Sequence, residues 1–102
     1  MKALIPTILF LLVTATAQAA TLKGGPVACL TEDLFDQAIQ AVVSKDERAF
    51  KYLLDNGCII TKAGVPVSVL DRGLFSGKVK VRAYFGDNKT FVLWTTVENI
   101  VE

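Results

Sequence analysis

The spacing of apolar residues changes once along this chain, near Gly57, and that change limits the folds open to it. Before Gly57 apolar positions recur at helical intervals; after it they recur close to every second residue. Helices followed by short strands imply an α+β fold in which a helical layer covers a sheet. Thr31-Glu32-Asp33 reads as a helix start, with a hydroxyl to cap free N–H groups and two acids in the positive first turn. Leu34, Phe35, Ala38, Ile39, Val42 and Val43 then share one face, opposite Asp36, Gln37 and Gln40. Ser44-Lys45-Asp46-Glu47 matches a capping box and predicts a second helix, with Ala49, Phe50, Leu53 and Leu54 on its apolar face. Asn56-Gly57 ends it, because Gly tolerates the left-handed conformation that closes helices. The short link between the patterns predicts an antiparallel helical hairpin over residues 31–57.

The first 19 residues stand apart. Lys2 supplies a positive charge, Ala3 to Val13 form an apolar run, and Ala17-Gln18-Ala19 gives an A-x-A exit. Charge, apolar stretch and small-residue exit in that order predict a secretory signal peptide over 1–19. The rival is an uncleaved anchor, since residues 3–20 approach the length that spans a bilayer. Pro6 within the run, and Thr14, Thr16 and Gln18 at its end, argue against it. A membrane partner is expected only if the leader is retained, and the predicted location is periplasmic or secreted. Pro26-Val27-Ala28-Cys29 ends like a lipobox, but Pro26 stands where Leu is expected and Lys23-Gly24-Gly25 separates it from the apolar run.

Cleavage after Ala19 shortens the 102-residue chain to 83 residues, enough for one domain with a modest core. In an oxidising compartment the two cysteines, Cys29 and Cys58, are expected to bond to each other. A metal site would want more Cys or His, and the sequence has no His; a redox pair would want C-x-x-C. No metal and no cofactor are therefore expected. Losing Lys2 leaves ten basic residues against ten acidic ones, a balance without long-range pull toward nucleic acid.

Residues 20–30 read as a loose lead-in. After Gly57, Cys58 to Thr61 is a short strand, and Val65, Val67 and Val69 alternate with Pro66 and Ser68. Pro66 cannot donate to a ladder, which predicts an edge strand. Asp71 to Gly77 reads as a loop containing Arg72 and Phe75. Lys78 to Phe85 is the clearest strand, with Val79, Val81, Ala83 and Phe85 on one face. Gly86-Asp87-Asn88-Lys89 is a hairpin turn, Thr90 to Thr95 returns as a strand, and Thr96 to Asn99 reads as one helical turn. Strands this short favour a small curled sheet or barrel.

Gly64-Val65-Pro66-Val67-Ser68-Val69-Leu70, Gly77-Lys78-Val79-Lys80-Val81-Arg82 and Trp94-Thr95-Thr96-Val97-Glu98-Asn99-Ile100 carry a resemblance over 58–102. This region resembles a bacterial SH3-like (SH3b-type) barrel. The resemblance implies a small SH3-like β-barrel of about five short strands; with the N-terminal two-helix hairpin read from spacing packed on it, 31–102 is expected to form one compact domain. The helical hairpin is not part of the family pattern. The resemblance also implies a non-catalytic module and a semi-exposed Trp94 beside the terminal turn.

The supply of catalytic groups is thin. The commonest general base is missing, and both thiols are expected to be oxidised. Glu32/Asp33 and Asp46/Glu47 lie in first helical turns, where their charge is accounted for by the helix dipole. The chain is thus read as a non-enzyme. Lys78, Lys80, Arg82 and Tyr84 share the outer face of one strand, a cation row ending in an aromatic ring that can hold an acidic or polymeric ligand. The same row also serves as a solvated face whose lysines discourage aggregation. Candidate contact residues are Arg72, Phe75, Lys80, Arg82, Tyr84 and Trp94. The expected function is a small exported binding module docking on an envelope protein or on peptidoglycan. The alternative is an accessory, exclusion or immunity protein from a plasmid, phage or toxin cassette. An aromatic-lined cleft near Tyr84 and Trp94 would favour the wall-binding module; a flat apolar patch or a protruding loop such as Leu74-Phe75 would favour the accessory, exclusion or immunity protein that plugs one target.

Overall fold

The computed structural model describes residues 20–72 and 76–102. The leader expected at 1–19, and Phe75 with its neighbours Gly73 and Leu74, lie outside the described residues. The elements run β1 (Ala20–Leu22), β2 (Val27–Cys29), α1 (Glu32–Val43), α2 (Glu47–Leu54), β3 (Cys58–Ile60), β4 (Pro66–Arg72), β5 (Lys78–Tyr84), β6 (Thr90–Thr96), a 3-10 turn (Val97–Asn99) and β7 (Ile100–Val101). Every strand belongs to one antiparallel sheet of order β3-β2-β6-β5-β4-β1-β7, curled into a half-barrel.

This architecture overturns the expected one in three respects. The lead-in is not loose: residues 20–29 supply two strands, and most of their side chains are buried. The helices are therefore not an N-terminal hairpin but an insertion between β2 and β3. Residues 58–102 do not close into a barrel by themselves, because β3 pairs with β2 and β7 pairs with β1. Without the lead-in, the three strands β4, β5 and β6 would remain as one ladder. Segments of three residues are too short to show alternation, so their strand character comes from the neighbours they pair with. The same pairing corrects the expected edge: β4 lies between β5 and β1, and Pro66 is tolerated as its first residue.

The curl follows from chain length. β1 and β2 are separated by three strands in the sheet, about 19 Å if it were flat. The steps from Leu22 to Val27 reach at most about 18 Å when fully extended, and Lys23 to Pro26 must also turn. The sheet has to bend until its flanks approach. Gly24 makes the corner at φ 88°, where an added Cβ would lie 2.4 Å from the Ala63 nitrogen.

Asn99 holds that corner. Its Nδ2 donates to Thr61 Oγ1 at 3.0 Å and Thr95 Oγ1 at 3.1 Å, while its Oδ1 accepts from the Gly24 N–H at 3.0 Å. Thr61 and Thr95 in turn donate to the Pro26 and Val27 carbonyls. All three side chains are buried and mutually satisfied, so the network ties β1, β2, β3 and β6 together without an orphaned polar atom on the amide.

Each sheet face has its own core. Leu22, Val67, Val79, Val81, Ala83 and Leu93 fill the concave side. The helices cover the convex side, where Phe35, Ala38 and Leu53 pack on Val27, Cys29 and Cys58 with Trp94 beside them. Thr31 caps α1 as expected, accepting from the Leu34 N–H at 3.1 Å. The cap of α2 is Asp46, which accepts from the Ala49 N–H at 3.0 Å; Ser44 instead closes α1, donating to the Gln40 carbonyl. The apolar stripe of α1 is also narrower than its spacing implies. Phe35, Ala38 and Ala41 are buried, whereas Ile39, Val42 and Val43 are exposed.

The Cys29–Cys58 disulfide is formed. Leu30 N–H donates to the Gly57 carbonyl at 2.8 Å and Thr61 N–H to the Pro26 carbonyl at 3.1 Å. Ladder alternation then makes Cys29 and Cys58 a non-hydrogen-bonded pair, the type whose Cα atoms come closest, here 4.0 Å. The bond staples the chain entering α1 to the chain leaving α2.

Candidate functional site

The cation row expected on β5 is present but partly spoken for. Val79, Val81 and Ala83 point into the concave core, which turns Lys78, Lys80, Arg82 and Tyr84 outward. Lys78 Nζ lies 2.6 Å from Glu32 Oε2 and 3.0 Å from Asp36 Oδ1, so it anchors α1 to the sheet. These two bonds, Glu32 first, raise its pKa above the ordinary 10.5. Lys80 stands 5.8 Å from the centre of the Trp94 ring. Tyr84 shares a 3.0 Å hydroxyl bond with Ser68, which together with nearby Arg82 lowers the phenol pKa. Arg82 is exposed on the same face.

The other candidates do not converge. Arg72 pairs with Val79 in the ladder, where it shares the opposite face from Lys80, and makes an ion pair with Glu102. A register shift between Val69 and Asp71 puts Asp71 across from Lys80. Trp94 is half-buried against the helical core rather than lining a cleft. Lys80, Arg82 and Tyr84 therefore remain together as a surface row, while Arg72 is elsewhere and Phe75 lies outside the described residues.

A different site is built from apolar side chains that sequence reasoning left unassigned. Leu30, Leu54, Gly57, Cys58, Ile59, Phe85, Phe91 and Leu93 enclose a groove of about 370 Å³. Four of its walls are large hydrophobics held in water: Leu30 is 49% exposed, Phe91 47%, Ile59 40% and Phe85 38%. Their positions follow from the chain. Phe85 and Phe91 flank the β5–β6 turn on the concave face and meet edge to face at 5.7 Å. Leu30 and Ile59 follow the two bonded cysteines, so the disulfide brings them together. Gly57, at φ 113°, forms the base; a Cβ there would lie 2.7 Å from Leu34 Cδ1. A larger hollow of about 500 Å³ on the helical hairpin is walled by Gln37, Gln40, Ser44, Asp46 and Arg48 among others, and its lining is more polar.

Such a groove can desolvate apolar groups, and its lining holds no acid, base or nucleophile. Among the described residues no group of three or more His, Cys, Asp or Glu could hold a metal ion, and no helix is long and apolar enough to cross a membrane. The signal for this site was present in the sequence as two phenylalanines placed symmetrically about a turn. Its other wall becomes visible only when the disulfide is drawn. No protein family, no curated protein and no solved structure matches the chain.

Proposed function

We propose that this chain is a small exported, non-catalytic module that docks on an envelope protein by taking apolar side chains into the groove beside Phe91. The observation that carries this reading is the clustering of Leu30, Ile59, Phe85 and Phe91 around one concavity while each stays more than a third exposed. Exposed apolar clusters of this kind mark interaction sites, and aromatic side chains dominate binding energy at them. The leader-like first 19 residues and the disulfide are compatible with an oxidising compartment outside the cytoplasm. An apolar groove away from Tyr84 and Trp94 favours a protein target over a wall polymer, whose sugars and carboxylates call for polar and stacking contacts.

Capture of envelope proteins and co-sedimentation with purified peptidoglycan test the reading with wild type, Phe91→Asp and Arg82→Glu. Phe91→Asp is expected to weaken protein capture at least about tenfold, or 1.4 kcal/mol, with near-ultraviolet dichroism of Trp94 confirming the fold. Arg82→Glu is expected to leave it within about twofold. Capture that survives Phe91→Asp, or sedimentation with peptidoglycan that is lost in Arg82→Glu, overturns the proposal.

A further inference from the structure

The groove runs along an interrupted ladder. β6 pairs with β5 along its whole length, Ala83 facing Phe91 and Val81 facing Leu93. The Phe85 N–H donates to the Lys89 carbonyl at 2.9 Å, which makes Phe85 and Lys89 a hydrogen-bonded pair. Antiparallel alternation then assigns hydrogen bonding to the Ala83/Phe91 and Val81/Leu93 pairs as well. The N–H and C=O groups of Thr90 and Val92 consequently point away from β5. On that side β2 meets β6 at a single pair, Cys29 with Trp94, and the chain then turns off through Leu30 into α1. Beside Thr90 to Leu93 the place of a neighbouring strand is empty among the described residues, and the apolar groove borders it.

We infer that the partner contributes an extended segment that adds to the open edge of β6, bonding through its main chain to Thr90 and Val92 and inserting alternate apolar side chains between Phe91 and Ile59. This rests on the docking role proposed for the groove and specifies its ligand class. The occupant continues a ladder that β2 has already begun, so its spacing from β6 is preset. A lipid chain or other aliphatic molecule would fill the groove but leave two donors and two acceptors unmet. A second copy is disfavoured by size: the open edge is four residues, about 13 Å, whereas a stable dimer buries about 800 Å² per partner. Strand addition at an edge takes affinity from main-chain bonds and selectivity from pockets for alternate side chains.

Amide exchange tests the geometry without a ligand. Thr90 and Val92 should exchange at least about tenfold faster than Phe91 and Leu93, because their N–H groups lack ladder partners. The probe for binding is a capped pentapeptide of alternating threonine and valine, with two versions N-methylated at alternate amides in opposite phases. The parent peptide should slow exchange at Thr90 and Val92, and one N-methylated phase should lose the effect while the other keeps it. Equal exchange along Thr90 to Leu93, or identical behaviour of the two phases, removes strand addition and leaves side-chain docking intact. If binding of the parent peptide is unchanged in Phe91→Asp, the groove itself is the wrong site and both readings fall. Slowed exchange at Thr90 and Val92 that rises with protein concentration alone, with a doubled mass in sedimentation, assigns the edge to a second copy and overturns the inference.

Discussion

The two cores of this sheet are held by different means. On the concave side, Val79, Val81, Ala83, Val67 and Leu22 interlock between strands already fixed by ladders, so side-chain packing and main-chain bonding reinforce each other. On the convex side, the short helix α2 and the longer α1 rest on Val27, Cys29 and Trp94, and no ladder joins them to the sheet. Their attachment depends on Phe35 and Leu53, on the disulfide at their base and on Lys78 reaching Glu32 and Asp36. The helical insertion thus carries a covalent bond at its base, across the β2–β3 pair, whereas β4, β5 and β6 are joined by ladders without one.

The strongest way to break this comparison is to remove the bond. Cys29→Ala with Cys58→Ala frees a loop of sequence separation 29 and should cost about 3–4 kcal/mol on the loop-entropy account. Amide exchange should show α1 and α2 losing protection while β4, β5 and β6 keep theirs; uniform loss would mean the two cores are one cooperative unit. A smaller effect is expected at the corner that links the cores. Asn99→Ala strands the Gly24 N–H and the partners at Thr61 and Thr95. Denaturant unfolding should register about 2 kcal/mol. The smallest effect is electrostatic. Lys78 has a raised pKa in the folded chain, so its contribution is complete below 10.5 and disappears as pH climbs through the folded value. Lys78→Gln should therefore lower the unfolding midpoint slightly at neutral pH. The gap from wild type should close above pH 10.5, and a gap that persists there would assign the effect to packing.

The readable and unreadable parts of the sequence divide along the same line. β5 announced itself because Val79, Val81 and Ala83 alternate with charged residues, and the 86–89 turn and the 3-10 turn after Thr96 were legible from local chemistry. β1 and β2 were not, because three-residue strands become strands through partners distant in sequence. The capping box at Ser44 misled because the same residues fit two roles: α1 took Ser44 as its end, which left Asp46 to begin α2. The candidate site suffered from a bias toward charge. The β5 cations fell on one face as expected, but α1 claimed Lys78, and the groove was assembled from Leu30 and Ile59, residues that spacing treats as ordinary interior positions.

The pairing of β1 with β7 has a temporal consequence. Thr21 lies across from Val101, and Leu22 from Ile100, so β1 waits for β7. A ribosome that pays out this thread from its amino end cannot deliver a finished sheet until Ile100 and Val101 have emerged. The disulfide partners and the helices between them appear long before that moment. Sulfur chemistry can consequently run ahead of closure, with the stapled hairpin standing as a scaffold on which the remaining strands assemble.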